Sequence, residues 1–120
     1  MPSKHQVLAL TNFKVAGGNI GCSLSGAGVR CAILQKAWTG PRQPSTCAAS
    51  WGSAINLLGK GYAGFACGGM ATPAADAKVV TAGSDDKIGQ FTCQVRTFGV
   101  DCFAADRRGF FISRTGYAIY

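Results

Sequence analysis

Glutamate is absent from this chain of 120 residues, and histidine occurs once, as His5. Serine hydrolysis would have to take its base from that one residue near the start, and no G-x-S-x-G occurs. Paired-carboxylate chemistry could draw only on Asp76, Asp85, Asp86, Asp101 and Asp106, and nothing marks one of them as a raised-pKa acid. No CxxC is present, which argues against thioredoxin-type redox chemistry and the usual zinc frames. No apolar run approaches the ~20 residues of a membrane span. The opening "MPSKHQVLAL" has four apolar residues in its longest run, short of the ~7–15 of a signal core. Charged residues make up only 14% of the chain against 17 glycines, a poor recipe for helix bundles and a good one for short strands and tight turns.

What is present is a cysteine frame written twice. "NIGCSLSGAGVRCAI" (19–33) and "QFTCQVRTFGVDCFA" (90–104) each place two cysteines nine positions apart, with Gly-Val shortly before the second. Each frame reads as a hairpin, turning at "GAG" in the first and near Arg96 to Phe98 in the second. Cysteines that face each other across a hairpin can close a local disulfide. The expected pairs are Cys22–Cys31 and Cys93–Cys102, leaving Cys47 and Cys67 to join. Six cysteines allow fifteen connectivities, so this pairing is one of several. An even count at wide spacing points to an oxidising compartment.

Further hairpins are expected around Gly59-Lys60-Gly61 and Thr115-Gly116, with loops at 39–46 and 68–77. "GKGYAG" fits GxGxxG, but the Gly-rich stretch after it does not open a helix, so it reads as a turn. Asp85-Asp86 in "GSDDKIG" reads as a turn too. The whole predicts one all-β domain over 12–120, a disulfide-stapled barrel or sandwich of about seven to ten short strands. Residues 1–11 are set apart as an added or frayed N-terminal segment.

The net charge of +7 favours anionic partners. Basic residues are scattered and only Arg107-Arg108 are adjacent, so sequence-specific nucleic-acid binding is not expected. The candidate binding patch is Lys36, Trp38 and Arg42 in "KAWTGPR", with Arg107 and Arg108. The alternative for Trp38 and Trp51 is that they plug the two ends of a small core. Arg30 and Asp101 hold matching places in the two frames and could pair. No catalytic residue, metal or cofactor is expected.

The order "GNIGC", "GVRC", "SWG", "AGFACGG", "GQFTC", "GVDC" and "GFFISRTGYAIY" resembles a family of small exported actinobacterial proteins, secreted or lipoprotein-anchored, with six cysteines in step. The resemblance spans about residues 12 to 120. It implies an extracellular location and an all-β scaffold, and it supplies no catalytic residues. Arg108 stands where relatives tend to carry His, and Gly69-Met70 where an Asp is common. The expected function is non-catalytic binding to an anionic envelope component or a surface protein. The alternatives are a self-assembling subunit of a filament, layer or virion, and an inhibitor presenting the loop 39–46.

Overall fold

The computed structural model describes residues 6–59, 62–68 and 77–120. His5, Lys60-Gly61 and most of the 68–77 loop, with Asp76, lie outside them. Twelve strands and no helix form among the described residues: Val7–Leu8 (β1), Asn12–Val15 (β2), Ile20–Ser25 (β3), Gly28–Ile33 (β4), Ala54–Leu58 (β5), Ala63–Phe65 (β6), Lys78–Val80 (β7), Asp85–Ile88 (β8), Phe91–Arg96 (β9), Gly99–Phe103 (β10), Gly109–Ser113 (β11) and Tyr117–Ile119 (β12). They build two six-stranded sheets, β1-β8-β9-β10-β11-β12 (sheet A) and β6-β5-β4-β3-β2-β7 (sheet B). The chain is therefore an all-β sandwich with three disulfides. The strand count exceeds expectation because the edges are two- and three-residue strands without a periodic signal of their own.

The order of strands explains the doubled frame. Each half is one edge strand followed by a five-strand antiparallel meander, β1 with β2–β6 and β7 with β8–β12. The edge strands are exchanged: β1 pairs parallel with β8, and β7 pairs parallel with β2. The N-terminal segment set apart in the sequence thus contributes β1 to sheet A. The cysteine hairpins share one register, with Cys22 opposite Cys31 and Cys93 opposite Cys102. Both turn through two residues, Gly26-Ala27 and Thr97-Phe98. Counting back from such a turn puts each cysteine pair at a non-hydrogen-bonded position, where Cα atoms approach to about 4.5 Å. The observed separations are 4.1 and 4.0 Å, and both pairs are bonded, as is Cys47–Cys67.

The repeated Gly-Val has a cause in the next strand. A Cβ on Gly28 would strike the carbonyl oxygen of Leu57 on β5, and one on Gly99 would strike that of Ile112 on β11. Val29 and Val100 then turn inward. All four hairpin cysteines are buried, and Cys31 Sγ lies 3.6 Å from Cys102 Sγ. The two disulfides meet in the middle of the sandwich, among Phe13, Ile55, Phe91 and Phe110.

Candidate functional site

Alternation along β9 and β10 sends Phe91, Cys93, Val95, Val100 and Cys102 into the core. It leaves Thr92, Gln94, Arg96, Asp101 and Phe103 on the outer face of sheet A. Register sets Gln94 beside both Asp101 and Asp85, and Phe103 beside Thr92. Tyr120, just beyond β12, exchanges two backbone hydrogen bonds with Gly109. Its hydroxyl donates to Asp101 Oδ1. Burial, then the hydrogen bond and charge of Asp101, push the phenol pKa up against the opposing effect of Arg96, so Tyr120 stays a neutral donor. Arg96 Nη2 donates to Gln94 Oε1 at 2.8 Å and lies 3.9 Å from Asp101 Oδ2.

These side chains wall a concavity of about 450 Å³ formed by Gln94, Asp101, Phe103, Arg107 and Tyr120. A second, of about 560 Å³, adjoins it through the shared Gln94, Phe103 and Arg107 and extends over Thr92, Gln90 and Lys87. Together they form one groove across the outer face, with an aromatic floor, amide and hydroxyl walls, cations at Arg107 and Lys87, and the Asp101 carboxylate engaged by Tyr120 and Arg96. The short β10–β11 turn holds Arg107 there: its N–H donates to Ala104 O, and Ala104 N–H donates to Arg108 O. Arg107 has φ 73°, the only non-glycine positive φ among the described residues. A left-handed L-residue costs about 1–2 kcal/mol, and such strain concentrates at functional sites. No hydrogen bond or ion pair engages its guanidinium among the described residues.

The patch expected from sequence is divided by the fold. Lys36 Nζ sits 4.8 Å from the centroid of the Trp38 ring and donates to Trp38 O at 3.2 Å. Trp38 Nε1 donates to Ser113 O at 2.6 Å, and its ring packs 4.7 Å from Tyr117 and 6.1 Å from Phe65. That ring is already engaged by its own chain. Trp51 packs against the same Phe65 at 5.9 Å, so the two tryptophans gather around one aromatic cluster rather than at two ends. Arg42 is exposed in the loop, which Trp51 Nε1 braces by donating to Pro41 O, and Gln43 Nε2 by donating to Cys47 O and Ala49 O. Arg107 and Arg108 precede β11 while Trp38 binds at its far end, about 17 Å away at strand rise. Arg108 lies 3.9 Å from Asp106. Arg30 does not meet Asp101: Arg30 Nε donates to Asn56 Oδ1 on sheet B, the opposite layer.

Asp86 departs furthest from its sequence reading. It lies in β8 rather than a turn and is fully buried. Oδ1 accepts the Leu10 N–H at 2.6 Å, and Oδ2 has no hydrogen-bond partner among the described residues. Burial raises its pKa, the Leu10 hydrogen bond opposing. Gln94, Phe103 and Tyr120 were missed as site residues. Period-2 alternation marks the first two as outward, but their meeting with Arg107 depends on register.

Compared with family models, curated proteins and solved structures, the chain matches none. Among the described residues no helix is long and apolar enough to cross a membrane.

Proposed function

We propose that this is an exported, non-catalytic binding domain that holds an anionic cell-envelope polymer across the outer face of sheet A. The carrying observation is Arg107, fixed in a left-handed conformation beside Phe103, Tyr120 and Gln94 with no acid paired to it among the described residues, the neighbouring Asp101 being taken up by Tyr120 and Arg96. Phe103 and Tyr120 offer apolar surface to the flat face of a sugar ring. Gln90, Gln94 and Thr92 match its hydroxyls, and Arg107 and Lys87 take a carboxylate or phosphate. Three disulfides fit an oxidising setting, and the resemblance to exported six-cysteine proteins points the same way. The net charge of +7 adds attraction to anionic surfaces.

Pull-down on polygalacturonate and on poly(glycerol phosphate), with neutral dextran as control, tests this reading. Retention should fall at least tenfold between about 50 and about 500 mM salt as screening sets in. Arg107→Gly should abolish retention while leaving stability unchanged or raising it by up to about 1 kcal/mol, since glycine relieves the left-handed strain. Equal retention at both salt concentrations, or by the Arg107→Gly protein, would refute it.

A second reading keeps one observation in its favour. The loop around Arg42 is exposed yet braced by Trp51, Gln43 and the Cys47–Cys67 bridge, which suits an inhibitor presenting a preorganised segment.

A further inference from the structure

The two ends of the sandwich should look alike, because the two halves correspond strand for strand, and they do not. At one end the β8–β9 turn folds onto the β3–β4 tip: a Cβ on Gly89 would sit 3.9 Å from Gly26 Cα. Gly59, just past β5, packs on the same end, its N–H donating to Ala27 O. Phe91, fully buried, fills the space beneath; a Cβ on Gly59 would meet its ring at 3.8 Å. At the other end, Phe91 is replaced by its counterpart Ile20, a smaller side chain. The corresponding turn runs through Gly17-Gly18, longer than the β8–β9 turn, and a Cβ on either glycine would meet nothing within 4 Å among the described residues. A cavity of about 300 Å³ remains, floored by Ile20, Val80 and Val95 of the core.

Its walls are mainly apolar, and its mouth carries Arg96, Arg114 and Phe98. Phe98 is 67% exposed, the most exposed large apolar side chain among the described residues. Arg96 is tied to Gln94 and Asp101 on the outer face. Arg114 is exposed, and no hydrogen bond or ion pair engages its guanidinium among the described residues.

We propose that this open end binds a single acyl chain with an anionic head, the chain running in over Val80 and Val95 and the head meeting Arg114. The volume lies at the lower limit for small-molecule pockets, which suits one chain and not two. The charge at the mouth selects a carboxylate or alkyl phosphate over a neutral lipid. This site is separate from the sheet A groove and does not depend on it.

Calorimetric titration of the oxidised protein with decanoate, decyl phosphate and decanol tests the proposal. Both anions should bind saturably below about 1 mM. Across hexanoate, octanoate and decanoate, affinity should rise about fourfold per methylene until the cavity is full. Arg114→Ala should weaken decanoate about tenfold and leave decanol unchanged. Ile20→Phe copies the closed end and should abolish binding with the melting transition intact; should it fail to fold, Ala82→Leu narrows the cavity from its rim and is read the same way. Arg107→Gly should leave decanoate binding untouched, which separates this site from the groove. No saturable decanoate binding, decanol binding as tightly as decanoate, or full binding by a folded cavity-filling variant would each overturn it.

Discussion

The first half of the chain and the second run the same course of one exchanged edge strand and five antiparallel strands, yet they differ where function would reside. In the first half, β4 and β5 are joined by residues 34–53, which cross to sheet A through Ala37 N–H to Arg114 O and Trp38 Nε1 to Ser113 O. In the second, residues 104–108 make a tight turn between β10 and β11. The long connection is tied down by Cys47–Cys67 and the aromatic cluster; the short one leaves an arginine standing over an open sheet face. Inside, beyond the exchange of Phe91 for Ile20, the halves differ most in character at one other paired position. Phe13 on β2 faces Cys22, while Asp86 on β8 faces Cys93, and Phe13 and Asp86 are both fully buried. The shared features are those that hold the sandwich together. The differences lie in surface, loops and a few core positions, among them a buried carboxyl, which is what separate selection on two copies of one frame would leave.

The largest expected effect concerns the bridges. Chain entropy alone ranks Cys47–Cys67 first, at roughly 3.3 kcal/mol against roughly 2.6 for either hairpin bridge. Packing reverses that order. Cys67 is exposed, whereas Cys93 and Cys102 are fully buried against the other sheet's disulfide. Replacing Cys93 and Cys102 together by alanine should cost about 4–5 kcal/mol in denaturant unfolding, the lost sulfurs leaving a void. The Cys22 and Cys31 pair should behave alike, and the Cys47 and Cys67 pair should cost about 3 kcal/mol. A larger loss from the last pair would mean that the sulfur contact between the sheets contributes little.

A smaller effect tests the paired position in the core. Below the ordinary carboxylate pKa, Asp86 is neutral in both folded and unfolded chains. As pH rises past that value the unfolded chain releases the proton while the folded one, with its pKa raised by burial, retains it. Stability from this group is therefore complete in acid and falls as pH rises through the folded-state pKa. Asp86→Asn keeps an acceptor for the Leu10 N–H and carries no charge. It should raise stability by about 1 kcal/mol at pH 7, and the gain should vanish below about pH 4. A gain of the same size at every pH would locate the effect outside ionisation.

Much of the scaffold was legible because it is local. The nine-residue cysteine spacing, the two-residue turns and the inward-outward alternation fix each hairpin and its disulfide without reference to the rest of the chain. The exchange of β1 and β7 was not, since strands of two and three residues pair in parallel with partners far along the sequence. Asp86 was misread for a related reason: aspartate is depleted in strands, and it is held here by the N–H of Leu10, beyond the end of β1. Trp38 drew attention as an exposed platform because Lys36 and Arg42 flank it, but the aromatic neighbours that engage it, Phe65 and Tyr117, come from β6 and β12. The groove was half legible, through Arg107 alone. Its partners Gln94, Phe103 and Tyr120 come together only through the register of sheet A.

On the proposed reading, sheet A presents the ligand face. Amide chemical-shift mapping of the ¹⁵N-labelled protein titrated with trigalacturonate puts that to the most direct test. Saturable shifts are expected at Gln94, Asp101, Phe103 and Arg107, with the corresponding outer face of sheet B, at Ser23, Arg30 and Asn56, unmoved. Shifts centred on sheet B, or spread evenly over exposed basic residues of both sheets, would contradict it.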